Sequence, residues 1–197
     1  MDREKQRSTG LVGLDLVLEG GIPKGTVIIV AGTPTNGLDL FARQFWKGDP
    51  DNPEEGTYLM LDGKIEEGMT DAREIPPDQY PAHMHGQRIV IDSLSSIILR
   101  HGIDDAVDLV TRGLREKVAE GANVALIMYL GIHRKADENK LIRSVDGYIE
   151  LKQGIEGSEV ERMLGVFKMV GVELPRQLVP YNITADGLEL STTKRVV

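Results

Sequence analysis

Apolar residues along this chain fall in short unbroken runs separated by stretches of helical spacing. Thr26–Val30 (TVIIV) is a continuous β-branched run ending in Ala-Gly, and Thr57–Leu61 (TYLML), Arg88–Ile91 (RIVI) and Val124–Leu130 (VALIMYL) repeat the pattern. Unbroken runs suit strands covered on both faces, as in a parallel sheet between helical layers. Leu38–Trp46 reads as a helix with Leu38, Phe41, Ala42 and Phe45 on one face. Asp104–Glu120 reads as another, with Ala106, Val107, Leu109, Val110, Leu114, Val118 and Ala119 at helical spacing and Gly121 placed to stop it.

From Gly147 onward the pattern changes to strands with little helix between them: Tyr148–Lys152, Val160–Met169, Tyr181–Thr184 and Leu188–Leu190. Gly154 with Gly157, Gly171 with Pro175, and Asp186-Gly187 supply the turn signals. The expected architecture is α/β, a mixed and mostly parallel sheet flanked by helices, with an antiparallel C-terminal extension. Glu66–His85 is polar with three prolines and reads as a short helix followed by irregular chain.

Length and composition narrow the classes. At 197 residues the chain is expected to form one domain over 1–197, with residues 1–7 as a flexible tail. The absence of Cys excludes disulfides, thiolate metal sites and a cysteine nucleophile in this chain. No apolar run reaches the roughly 18 residues of a membrane span, and the charged opening MDREKQRSTG is unlike a secretory signal. The expected location is cytoplasmic. With 23 Lys+Arg against 31 Asp+Glu the net charge is −8, which argues against general affinity for nucleic acid.

The most informative stretch is Gly32-Thr33-Pro34-Thr35-Asn36-Gly37-Leu38-Asp39, between an expected strand and an expected helix. That is the setting of a phosphate-binding loop, G-x-x-x-x-G-K-[ST], in which backbone N–H groups surround the phosphates, a Lys reaches the β/γ oxygens and a hydroxyl holds Mg²⁺. Here Leu38 stands at the Lys position and Asp39 at the hydroxyl position. Losing the Lys removes a contact worth roughly 1.5–3 kcal/mol. A carboxylate about 4 Å from a phosphate, at an effective dielectric near 20, adds about 4 kcal/mol of repulsion. Asp39 acting as a direct Mg²⁺ ligand would soften that penalty, and a plain strand-to-helix turn is the bland alternative.

Ser8–Gly32, STGLVGLDLVLEGGIPKGTVIIVAG, resembles the opening of KaiC-like and RadA-like ATPases of the RecA superfamily. Val90-Ile-Asp-Ser-Leu-Ser-Ser96 is similar to their Walker B strand, and Arg162–Leu190, ending PYNITADGLEL, to their K-M-R-G … P-F-x-I-T-x-x-G-I ending. The resemblance covers nearly the whole chain. It implies a RecA-like P-loop NTPase fold and an ATP and Mg²⁺ site. The Walker B Asp falls on Asp92. The two consecutive Glu that polarise water in active members fall on Asp62 and Gly63. The Lys and Arg given across a subunit boundary fall on Lys168 and Val170.

Those lost groups supply the positioning and charge stabilisation of phosphoryl transfer. The resemblance therefore implies an inactivated ATPase homologue with a degenerate P-loop and no cofactor. It would serve as a regulatory or scaffolding protein, through self-association or association with a related ATPase, with Lys168 at the subunit interface. The alternative is an ATP-binding KaiC/RadA-like ATPase in signalling or DNA recombination and repair, with Lys64 or Lys24 reaching the phosphates.

Other residues carry weaker signals. Asp39, Asp62 and Asp92 could form a carboxylate cluster for Mg²⁺ or Ca²⁺ at the C-terminal sheet edge, although solvated or capping roles are the simpler expectation. His83 and His85 have no third metal ligand in sight. The basic segment His133–Arg143 reads as a solvated loop, without aromatics to stack bases. Ser93, Ser95 and Ser96 have no evident His base.

Overall fold

The structure is a computed structural model that describes residues 5–191. In chain order, β1 (Gln6–Arg7) leads to helix α1 (Val12–Val17), then β2 (Ile22–Pro23), β3 (Val27–Gly32), helix α2 (Leu38–Lys47), β4 (Gly56–Met60), β5 (Thr70–Asp71) and a 3₁₀ helix over Pro77–His83. β6 (Arg88–Asp92) precedes α3 (Leu94–His101) and α4 (Ile103–Asp108). A π-helical turn at Leu109–Gly113 connects α4 to α5 (Arg115–Ala119). β7 (Asn123–Tyr129), α6 (Lys135–Ser144), β8 (Gly147–Glu156), β9 (Glu159–Met169), β10 (Val179–Thr184) and β11 (Gly187–Leu190) complete the described chain.

Nine strands form one sheet in the order β11-β10-β9-β8-β3-β7-β6-β4-β5, and β1 pairs with β2 separately. The pairs from β8 through β5 are parallel, and those from β8 to β11 antiparallel. The unbroken apolar runs have the expected cause. Along β3, Val27, Ile29 and Ala31 face one core with α3, α4 and α6, while Ile28 and Val30 face another with α1 and α2. Each central strand therefore buries both faces.

Several local expectations need correction. Gln6 and Arg7, expected in a flexible tail, pair with Pro23 and Ile22. Arg7 is buried because its guanidinium bonds Glu54, Gln87, Asn123 and the Gly121 carbonyl; residues 1–4 lie outside the described residues. Glu66–His85 runs in the opposite order to that expected: irregular chain and β5 come first, and the helix follows at Pro77, where proline's fixed φ suits a helix start. Gly154 lies inside β8, and the two-residue turn falls at Gly157-Ser158 between the paired Glu156 and Glu159. The basic segment is helix α6 from Lys135 onward, held to the core by Leu141. The expected helix 104–120 forms, interrupted by the π turn.

Candidate functional site

The parallel strands β3, β4, β6 and β7 end together at one sheet edge, the usual position for ligands in open α/β sheets. The 32–37 loop leaves β3 there. Its interior is filled by its own polar side chain: Asn36, 2% exposed, donates its amide to the Leu151 carbonyl and accepts a bond from Thr33 Oγ1 at 2.6 Å. Tyr181 OH from β10 donates to the Asn36 carbonyl at 2.9 Å. The two glycines are needed for close approach. A Cβ on Gly32 would lie 2.9 Å from the Leu151 carbonyl oxygen, and one on Gly37, at φ +80°, 3.0 Å from Leu188 Cδ2. The loop is thus clamped between β8 and the β10–β11 hairpin.

Leu38 does not point at the loop. It opens α2 with 1% exposure and packs in the α2-side core with Phe41, Phe45, Tyr181 and Leu188. Asp39 faces outward and pairs with Arg43 one turn on, at 2.8 Å; the same guanidinium holds Glu66 at 2.9 Å. That contact keeps the exposed Glu66 carboxyl below its usual range. Arg43 is the cation that acts on Asp92, Tyr58 and Tyr129. Lys64 influences Glu66 from the surface. Lys24, next to β2, hydrogen-bonds Lys5 near the start of β3, at the opposite sheet edge, so it cannot serve this loop.

Asp92 ends β6 at 4% exposure and accepts a 2.6 Å bond from Tyr58 OH. Burial raises its carboxyl above the usual range, the Tyr58 bond pulls it back, and the Asp62 and Asp39 charges raise it further. Tyr129 is pushed up to about 12 by burial and by the same three carboxylates. The structure therefore brings Asp39, Asp62 and Asp92 within one electrostatic neighbourhood, yet each has its own protein partner. Asp62 accepts from the hydroxyls of Ser93 and Ser96. Ser93 in turn caps α3 by accepting the Ser96 N–H at 3.2 Å, so Asp62 braces a helix start. Among the described residues, no three His, Cys, Asp or Glu side chains converge as a metal-ligand set.

Lys168, expected at a subunit interface, has three partners within its own chain. Its ammonium donates to the carbonyls of Ile142 at 3.0 Å, Arg143 at 3.1 Å and Val145 at 2.5 Å, and so caps the C-terminus of α6 in its own chain. Ser95 does have a histidine after all: His133 Nε2 lies 2.9 Å from its Oγ, which also accepts the Tyr129 N–H. Ser95 is buried at 2% exposure, so the pair fixes the loop after β7 and offers no accessible nucleophile. His85 bonds Thr57, and Met84 between the two histidines is buried. Arg43 and Tyr58 were missed from the sequence. Only the i,i+4 spacing from Asp39 marked Arg43.

The strong N-terminal signature has a structural explanation. Asp15 accepts from Ser8 Oγ at 2.5 Å and from Thr9 N and Oγ1 at 2.7 Å, which fixes the turn into α1. Gly10, at φ +82°, lies against Gln44: a Cβ there would sit 2.1 Å from its carbonyl oxygen. These residues build the wall behind α2.

Comparison with known proteins agrees with the fold. A family model described as "ATPase: KaiC" matches residues 78–195. A UPF0273 protein of Pyrococcus furiosus is 25% identical, with 91% of each chain covered. A UPF0273 protein of Thermotoga maritima is 24% identical over 93% of this chain and 95% of its own. The circadian clock oscillator protein KaiC of Parathermosynechococcus lividus is 24% identical over 94% of this chain but only 42% of its own length. A crystal structure of a KaiC-like protein from Pyrococcus horikoshii superposes with a TM-score of 0.77 at 21% identity, covering 94% of this chain and 99% of that one.

Proposed function

The chain belongs to the KaiC family of ATPases, and from that premise we propose that it acts as a binding and scaffolding member that does not turn over ATP, working through association with itself or with a related ATPase. The observation that carries this reading is Leu38. The position that would supply the phosphate-reaching ammonium is 1% exposed and packed in the core. Three further features support it. Asp39 and Glu66 already neutralise Arg43, so the cation that acts on Asp92 is engaged by the chain's own carboxylates. The Asn36 side chain takes up the interior of the loop. Asp62, at the position of the water-polarising Glu, is bonded to two serines. On this reading the residues present do not fit ATP with Mg²⁺.

Titration calorimetry with ATP and Mg²⁺ tests the reading, with phosphate release as a second readout. The expected result is no binding at micromolar concentration and no release above buffer. A dissociation constant of about 10 µM or below, equivalent to roughly −7 kcal/mol, overturns the proposal, as does turnover abolished by Asp92→Ala.

A further inference from the structure

We propose that the contact between His133 and Ser95 is a proton-operated latch: the neutral imidazole holds the 130–134 segment against α3, and the protonated ring releases it. The latch does not depend on whether the protein turns over ATP or on what it associates with.

The chemistry follows from the single proton of one hydroxyl. Ser95 Oγ, in a residue 2% exposed at the start of α3, accepts the Tyr129 N–H at 2.9 Å and lies 2.9 Å from His133 Nε2. A serine hydroxyl has one proton to give and two lone pairs to offer. With one lone pair committed to Tyr129, Nε2 is the acceptor that Oγ meets among the described residues. Donation by Ser95 leaves the proton of the neutral imidazole on Nδ1. Protonation adds an N–H at Nε2, aimed at Oγ. Ser95 must then accept twice and turn its own O–H away, where burial denies it water; a buried donor without an acceptor is costly.

The charges around the ring act in opposite senses. Burial pushes the His133 imidazole below its ordinary value, and the α6 carboxylates Glu138 and Asp137 raise it. Glu138, 3% exposed, is already held by Lys135 Nζ at 3.0 Å and by the Gly131 N–H at 3.4 Å, which tempers its pull. The exposed Arg134 follows the ring directly in the chain. From α3 the ring meets Ser95, and from β7 the Tyr129 amide through the same hydroxyl. The closed form takes up a proton less readily than the open one. The latch is therefore strongest above about pH 6.5, the ordinary imidazole value, and weakens as pH falls below it.

The position of the segment gives the latch something to control. The Leu130 N–H bonds the Gly32 carbonyl at 2.9 Å, where the 32–37 loop begins. Gly131, at φ +83°, makes the turn out of the sheet, a conformation that favours glycine. Beyond it Ile132 is 51% exposed, and α6 starts at Lys135. Release from α3 frees the span between the sheet edge and α6.

Nuclear magnetic resonance of the full chain across a pH series tests this. The His133 ring is assigned by its loss in His133→Gln, whose side-chain oxygen can still accept the Ser95 proton and cannot titrate. The expected ring is the Nδ1–H tautomer at about pH 8 and titrates below about 6.5. Protection of the Tyr129 and Leu130 amides from hydrogen exchange, taken relative to unstructured chain at each pH, should fall at least about tenfold between about pH 8 and about pH 5. Protection at Ile29, in the central strand β3, should hold, in the variant as well, which shows that it folds. In His133→Gln the fall at Tyr129 and Leu130 should disappear. An Nε2–H tautomer, a ring titrating at or above about 6.5, a loss that Ile29 shares, or the same fall in the variant overturns the latch. ATP turnover would overturn the functional proposal and leave the latch standing.

Discussion

Asp92 illustrates what a buried carboxylate costs a fold. It is 4% exposed, and its carboxylate is stabilised by one tyrosine hydroxyl in a neighbourhood of two further carboxylates. Burial raises its pKa in the fold above the unfolded value of about 4. A raised carboxyl favours folding when protonated, so its contribution is fullest below that pH and is lost as pH rises through the folded value. Asp92→Asn keeps an acceptor for Tyr58 and removes the buried charge. The variant is expected to be more stable at pH 7 by about 1 kcal/mol, with a flatter dependence of denaturation midpoint on pH above about 4. A midpoint that falls at pH 7 would contradict this assignment.

Elements show where sequence reading succeeds and where it stops. The parallel strands were legible because two-sided burial leaves unbroken apolar runs, and α2 because Leu38, Phe41, Ala42 and Phe45 share a face. The glycine spacing of the 32–37 loop and the strand-end position of Asp92 were legible for the same local reason. Contacts distant in sequence were not. Nothing near Lys168 announces that its three donors close the C-terminus of α6, and nothing near Ser95 announces His133. Helix α3 was missed because its cap, Ser93, is completed by Asp62 from another strand end. Gln44 is a further long-range device: its side chain accepts the Leu188 N–H at 2.8 Å and donates to the Leu188 carbonyl at 3.2 Å, standing in for a neighbouring strand on β11's outer side. Gln44→Ala leaves both groups unpaired and is expected to cost about 1–2 kcal/mol. Hydrogen exchange at the Leu188 amide should accelerate about tenfold; unchanged protection would remove the clamp from the account.

Across the whole molecule, a buried charge cluster ties the N-terminal segment to the sheet. Arg7 and Arg88 meet the same carboxylate, Glu54, at 2.8 and 3.0 Å, and Arg88 also donates to the Phe45 carbonyl at 3.0 Å. Burial lowers the Arg88 pKa, and Glu54 opposes that shift. Breaking a buried pair from one side costs about 3–5 kcal/mol. Glu54 keeps some solvent contact, so Glu54→Gln is expected to fall below that range, at about 2 kcal/mol, or a midpoint lower by about 4–8 °C. Calorimetric melting checks this, and an unchanged midpoint would mean that the two guanidiniums need no counter-charge. No helix among the described residues is long and apolar enough to cross a membrane.

The inward turn of Leu38 also limits what can replace it. Lysine at that position would sink an ammonium among Phe41, Phe45 and Leu188, and swinging it outward would open a void beneath α2 and set it beside a carboxylate already held by Arg43. The packing thus acts as a lock that keeps the first position of α2 apolar.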